Sequence, residues 1–337
     1  MAVPAGVFKE TYRGLMAHLR YPIHVYSTAA ALALLLALPF IAGSFIVDKL
    51  VLYMAFLVAA IGLNITTGLA GQISLAQAAL MGAGAFTAAW LTLHGVNILL
   101  AIPAGALVAA AVGTVLGLPS FRLKGYYLAM ASIAAQELLY YIYQRWVASN
   151  QYMPVNDSAK TLLGVYLGGG KPLYYTALLI TIAAAWAAAN IGRSSLGRAM
   201  KAVRDNDISA EIIGINVAKT KAIAFALGSF YAGLAGGLLA LQLVAIDYGN
   251  FSLEQSINLL AMVLVGGAGR VIWGSVLGLI AIMATHSILE MVFQGNPVYD
   301  YLVLGAIIAF FVVEEPEGLI AVLRRVKEYF RLWPYSY

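Results

Sequence analysis

The chain of 337 residues contains no cysteine. That excludes disulfides, thiolate metal sites and a cysteine nucleophile. Charge is nearly as scarce, at 10% of residues, against about a quarter in a soluble domain. Only four histidines occur, and none stands in H-E-x-x-H or a comparable cluster, so a zinc centre with its three or four ligands is not expected. There is no aspartate-rich prenyltransferase motif and no G-x-x-x-x-G-K-[ST]; the nearest stretch, "GVYLGGGKP", has the wrong spacing for a phosphate loop. The net charge of +5 is spread over islands between apolar runs, unlike the basic patch on a water-facing fold that marks a nucleic-acid binder, so no nucleic-acid partner is expected. No A-x-A-type site follows the first apolar run, so no cleavable signal is read there.

What is present is apolar surface: 62% of residues are hydrophobic. So few charges cannot shield that much apolar surface from water, and lipid is the natural solvent. A helix needs ~20 apolar residues to cross the hydrocarbon core. Such runs lie at about 28–47, 50–68, 73–93, 98–118, 126–147, 173–191, 222–246, 256–269, 272–293 and 299–313. The third is rich in small residues and a candidate for a broken helix; the eighth and tenth are short enough to be tilted or re-entrant. The expected fold is an all-α polytopic membrane protein of about ten transmembrane or partly spanning helices. An interfacial N-terminal arm occupies 1–27, a transmembrane domain 28–313 and a C-terminal tail 314–337.

The basic residues are consistent with that count, since Lys and Arg collect on the cytoplasmic side. Lys9, Arg13 and Arg20 precede the first run, and Arg122 and Lys124 lie between the fourth and fifth. Arg193, Arg198, Lys201, Arg204, Lys219 and Lys221 lie between the sixth and seventh, Arg270 between the eighth and ninth, and Arg324, Arg325, Lys327 and Arg331 after the tenth. All these places follow an even number of crossings, so one face holds them together with both termini. The odd-numbered connections have fewer: Lys49, Arg145, Lys160 and Lys171. Two flanks have amphipathic faces suited to a lipid surface, one from Phe8, Tyr12, Leu15 and Leu19, the other from Leu319, Val322, Leu323 and Val326.

The stretch "GRAMKAVRDNDISAEIIGIN" (197–216) breaks the apolar pattern with Arg198, Lys201, Arg204, Asp205, Asp207 and Glu211 in quick succession. From a Ser194 or Ser195 cap it reads as one helix to about Ile213, ended by Gly214. A connection between two spans needs only a few residues, so a long structured loop at 192–221 points to function. Exposed isoleucines beside both signs of charge suit a docking surface.

Small-residue spacings at Gly113/Gly117, Gly233/Gly237 and Gly274/Gly278 point to close helix packing. "GLAGQISLAQ" places Gln72, Ser74 and Gln77 beside Gly68 and Gly71. Polar side chains at membrane depth face protein or a watery path. Asn64, Thr67, Gly71, Gln72, Ser74 and Gln77 therefore either border a translocation path or bond helices together. "VGGAGR", with Gly266 and Gly267, is either a broken-helix element of the same path or a tight turn. Glu137 beside Gln136, and His286 with Glu290 one turn on, are further ionisable groups within apolar runs.

Three stretches in order resemble one family. "GRAMKAVRDNDISAEIIGINVAKTKAIAFALGSFYAGLAGGLLA" is similar to the coupling loop and next helix of ABC-transporter permeases of the branched-chain amino acid class, the LivM-like subunits. "NITTGLAGQISLAQAALMGAGAFTAA" resembles their Gly-Gln-x-Ser segment, and "SINLLAMVLVGGAGRVIWGSVLGLI" their late double-glycine segment. The resemblance implies that Arg204, Asp205, Asp207, Ser209, Ala210, Glu211, Gly214 and Asn216 form a cytoplasmic coupling helix that meets ATPase subunits. The family's Glu-Ala-Ala-x-x-x-Gly motif stands here as Ile208-Ser209-Ala210-x-x-x-Gly214.

It further implies a non-enzymatic permease subunit in a prokaryotic inner membrane. Its partners would be a second homologous permease, two cytoplasmic ATPase subunits, an external or periplasmic solute-binding protein and membrane lipid. ATP would bind the ATPase subunits and no cofactor this chain. The fifth run and the loop after it depart from the family's usual Thr-rich and Thr-Gly-Gly-rich pattern. The expected cargo is therefore a branched-chain or related small amino acid, or a small amide such as urea. The alternative is an ion- or proton-coupled carrier using His286, Glu290 and Glu137.

Overall fold

A computed structural model describes residues 22–118, 125–147, 152–162, 164–293, 297–315 and 317–332. Lys9, Arg13, Arg20, Phe8, Tyr12, Leu15 and Leu19 of the N-terminal arm, with Arg122 and Lys124, lie outside them. The chain forms two compact units, residues 1–47 and 48–337. In the first, helix α1 (Pro22–Ile41) begins six residues before the expected span and carries Pro39 inside it. It stops short of Gly43, and α2 starts at Ser44.

The rest of α2 (Ser44–Leu63) belongs to the second unit and runs into a buried π-helical turn, Asn64–Leu69. Then follow α3 (Gln77–Leu93), α4 (Ile98–Gly117), α5 (Tyr126–Val147) and α6 (Gly170–Arg193). Two short helices, α7 (Ser195–Asp205) and α8 (Asp207–Ile212), precede the long α9 (Val217–Gln242). Helices α10 (Leu253–Gly266), α11 (Val271–Phe293), α12 (Pro297–Glu314) and α13 (Leu319–Leu332) complete the chain. Among the described residues, five helical stretches are long and apolar enough to cross a membrane: Ser44–Leu69, α4, α6, α9 and α11. Helix α3 starts only at Gln77, after an irregular stretch from Gly71, and then runs unbroken to Leu93, so the third expected span is shortened at its start and not broken within. The eighth, α10, has 14 residues, and the tenth contains a short apolar core at Leu302–Phe311.

The core is built on α9, and glycine is the reason. In lipid, helices gain by close packing of small residues. A side chain at Gly236 would collide with Met81 O, one at Gly84 with Gly233, and one at Gly228 with Thr66 Oγ1. Gly113 lies against Ser229, and Gly237 against Ile102. Gly274 and Gly278 let α11 close on Gly267 O and Met262 O. The three small-residue spacings are thus packing contacts. Polar side chains add bonds across these contacts. Gln77 Nε2 donates to Ala59 O (3.0 Å) and Gly228 O (3.3 Å), and Tyr231 Oη donates to Ala184 O (2.9 Å).

At one end the connections after α3, α5 and α9 meet. Strands β1 (Tyr152–Pro154) and β4 (Ala245–Asp247) pair antiparallel, Met153 opposite Ile246. Strands β2 (Thr161–Leu162) and β3 (Val165–Tyr166) form a second pair. Asn156 Nδ2 donates to Thr92 O (3.2 Å) and Asn97 Nδ2 to Thr161 O (2.7 Å). Lys160 is fully buried; its ammonium donates to Leu243 O (2.9 Å) and pairs with Asp157 (3.1 Å). At the opposite end lie the connections after α2, α6 and α10, the start of α5 and the segment after α12. Among the described residues, the connections after the third, fifth and seventh expected spans thus gather at one end, and those after the second, sixth and eighth at the other.

Packing this close makes a prediction. A Cβ at Gly233 would sit 2.6 Å from Ala109 Cβ and 2.7 Å from Ala106 Cα. Overpacking a core costs about 1–3 kcal/mol, so Gly233→Val lowers the melting temperature of the detergent-solubilised protein by several degrees. Gly305→Ala, which meets open space, leaves it unchanged. Thermal unfolding followed by size-exclusion chromatography checks both.

Candidate functional site: the loop between α6 and α9 and the segment it grips

Ser194 caps α7, its Oγ accepting from Gly197 N (3.2 Å). The expected single helix of ~18 residues is instead two. At Asn206 the backbone is extended (φ −161, ψ 111), and its Oδ1 accepts from Ile208 N and Ser209 N at 3.0 Å each. Asparagine favours such caps because its side chain replaces the helix's missing acceptor. The cue was the Asp-Asn-Asp run, overridden by the apolar periodicity on either side of it. Gly214 (φ +88) makes the expected turn, and Asn216 caps α9 through Lys219 N (2.9 Å).

The residues of this loop divide by direction. Ile208, Ile212 and Ile213 are 67%, 80% and 72% exposed, with Ser209 and Glu211 exposed among them. A groove of about 480 Å³ runs between α8 and the start of α9, lined by Asp207, Ile208, Glu211, Gly214, Asn216 and Lys221 among others. Met200, Val203 and Ala210 point inward and are buried. Asp207 pairs with the buried Lys221 (3.0 Å), which ties α8 to α9.

Arg204 also turns inward. Its Nη1 donates to Gly68 O (2.8 Å), while Nε and Nη2 hold Asp205 Oδ1 (3.1 Å each). Gly71 (φ +69) and Gly269 (φ +87) leave room for this arginine: a Cβ at either would come within 2.6 Å of its Cγ or 2.8 Å of its Nη1. Asn64 joins the same knot. Its Oδ1 accepts from Gly269 N (2.8 Å), and its Nδ2 donates to Ser275 Oγ (3.3 Å) and Arg270 O (3.5 Å). A side chain at Gly68 would strike Asn64 Oδ1 and Gly269 N. Gly266 closes against Gly274, and a Cβ at Gly267 (φ +123) would come within 2.7 Å of Glu317 O and 2.8 Å of Ile320 in the C-terminal segment. "VGGAGR" is thus a tight turn between α10 and α11.

The polar residues of "GLAGQIS" separate likewise. Asn64 and Gln77 bond helices together. Thr67 Oγ1 donates to Gln72 O (3.2 Å), and Ser74 Oγ accepts from Ala76 N (3.4 Å). Gln72 differs: its side chain is buried, at 2% exposure, and neither amide atom has a hydrogen-bond partner. It borders a cavity of about 100 Å³ with Arg204, Asp207 and Lys221. Buried polar groups are normally satisfied; with Thr181, Ser229 and Gln242, Gln72 is among the described residues that leave a buried side-chain atom unmet. On α11, His286 is half-buried and Glu290 exposed; Glu137 is exposed on α5.

The architecture is that of a polytopic α-helical membrane protein. Residues 45–312 match the family described as branched-chain amino acid transport system / permease component, and the chain belongs to it. It is a transport permease component and not an enzyme. The high-affinity branched-chain amino acid transport system permease protein LivM of Escherichia coli (strain K12) is 27% identical over 321 residues, 88% of this chain and 74% of that protein. LivM of Salmonella typhimurium (strain LT2) is 26% identical over the same shares. The probable LivM of Methanocaldococcus jannaschii is 26% identical over 242 residues, 67% of this chain and 69% of that one. No solved structure matches the chain. Family membership leaves the ion-coupled carrier alternative without support.

The cap at Asn206 gives the loop a testable joint. Loss of such a cap costs ~1 kcal/mol. Asn206→Ala therefore speeds hydrogen exchange at the amides of 207–213 and leaves α9 and α3 unchanged, as mass-resolved exchange will show.

Proposed function

We propose that the chain is one permease subunit of an ATP-driven importer that moves branched-chain or related small amino acids by alternating access. The observation that carries this is the two-sided loop: exposed isoleucines face away from the core while Arg204 reaches into it. In this reading α8 docks on a cytoplasmic ATPase subunit through Ile208, Ile212, Ile213, Ser209 and Glu211. Asp205, Gly214 and Asn216 shape the docking element, and Ala210 and Asp207 anchor it to the permease. ATP binds the partner subunits, because this chain has no phosphate loop.

Closure of the ATPase subunits moves α8. Arg204 passes the motion to Gly68 O and so to the π-helical turn, Gln72 and the 266–270 turn. A π-helical turn is a frequent functional departure from α geometry, and here it is the part that gives. Gln72, Thr67 and Ser74 then border the inner mouth of the path, and Asn64, Gln77, Gly71, Gly266 and Gly267 hold its walls. The end that carries this loop faces the cytoplasm, with both termini, because the basic residues collect there. A second permease completes the path, and an external solute-binding protein delivers cargo to the end built from β1–β4. Arg324, Arg325 and Lys327 of α13 meet lipid headgroups.

Co-purification from native membranes tests the reading. Wild type carries ATPase subunits with it. Ile212→Asp and Glu211→Lys lose at least about tenfold of that association, as expected when a buried contact at a docking surface is replaced by a charge, while melting at the wild-type temperature. Absence of any ATPase from the wild-type preparation refutes the proposal.

A further inference from the structure

Helix α5 presents a charge where a lipid-facing helix has none. Its inner face is a helical stripe of Leu128, Ser132, Gln136, Leu139, Tyr143 and Val147, all buried. Three of these are hydrogen-bonded into the core. Ser132 Oγ accepts from Leu75 N (2.9 Å). Gln136 Oε1 accepts from Ala79 N and Ser256 Oγ (2.9 Å each), and its Nε2 donates to Phe251 O (2.7 Å). Tyr143 Oη donates to Ala79 O (2.7 Å). Buried polar bonds of this kind are expensive to break, so they fix the roll of α5 about its axis.

With the roll fixed, Glu137, one residue on from Gln136, points away from the core. It is exposed near the middle of the 22-residue helix. A carboxylate at that depth cannot rest in hydrocarbon without large cost; such groups face a bundle interior or a water-filled path. The face around it is mixed, with Met130 and Leu138 half-exposed beside tyrosines. Tyr141 follows one turn later, with Arg145 over its ring (5.8 Å). Tyr140 packs edge-on against Tyr248 (5.5 Å). Helix α5 is also absent from the five stretches apolar enough to span lipid.

We propose that Glu137 lies on the wall of the translocation path and receives the ammonium group of the passing cargo. This rests on the transport reading above and narrows it. A carboxylate at mid-path with tyrosines one turn away suits a primary ammonium beside an apolar side chain. A small amide such as urea has no cation to offer it. In this proposal the passing cargo is the transient partner of Glu137.

The test uses the whole transporter in cells, with radiolabelled leucine as the probe. Glu137→Gln keeps size and hydrogen bonding but loses the charge; Glu137→Asp keeps the charge. We expect both variants to co-purify with the partner subunits as wild type does. Glu137→Gln should lower maximal leucine uptake roughly tenfold or more, as the loss of a hydrogen bond between charged groups does, and Glu137→Asp should restore part of it. Wild-type uptake in Glu137→Gln overturns the proposal, and so does loss of assembly, which would make Glu137 a contact between subunits. If wild type assembles but takes up no leucine, the transport reading itself fails, whatever the variants do.

Discussion

The hydrogen bond from Arg204 to the carbonyl of Gly68 is the contact on which the functional end of the molecule depends. It joins a charged loop that faces water to a buried turn inside the helical core, across 136 residues of sequence. It exists only because the backbone comes close. Gly68, Gly71 and Gly269 have no side chain to hold the arginine and Asn64 away. The π-helical turn supplies the carbonyl, Gly68 O, that meets the guanidinium. Without this hydrogen bond the loop would keep the buried side chains Met200, Val203 and Ala210 and the ion pair of Asp207 and Lys221 as its ties to the core.

The same physics separates the polar residues that hold the protein together from those left for other work. In a lipid-solvated core an unmet hydrogen bond has no water to turn to. Asn64, Gln77 and Gln136 are accordingly bonded on both sides of their amides or to several carbonyls. Gln72, of the same chemical type and only eight residues from Asn64, is buried and unmet. Glu137 is next to Gln136, which is bonded through both amide atoms, and is directed outward by it. Gln72 at the coupling end and Glu137 at mid-helix both lie where a moving path is proposed.

Much of this was legible in the residues. Ten apolar runs became helices, and the cap at Ser194 and the turn at Gly214 follow from local chemistry. What was hidden is one local break and several long-range contacts. Nothing in the periodicity of 195–213 announces a break at Asn206, since the apolar pattern continues through it. Lys160 reads as a solvated loop lysine until Leu243 is found beside it. The spacing of glycines pointed to packing but not to its partners, and Asn64 gave no sign that it would bond a turn 205 residues away. Local signals are set by three or four neighbours; these contacts are set by how the helices dock.

The absence of cysteine makes the central link measurable, because a single introduced cysteine carries a label without background. A spin label at Ile73, which is partly exposed beside Gln72, reports the segment gripped by Arg204. In the assembled transporter, ATP binding should change the mobility of that label, and Arg204→Ala should abolish the change while the ATPase subunits remain bound. An equal response with and without Arg204 would contradict the link, and transmission would then run through α9 and the Asp207–Lys221 pair.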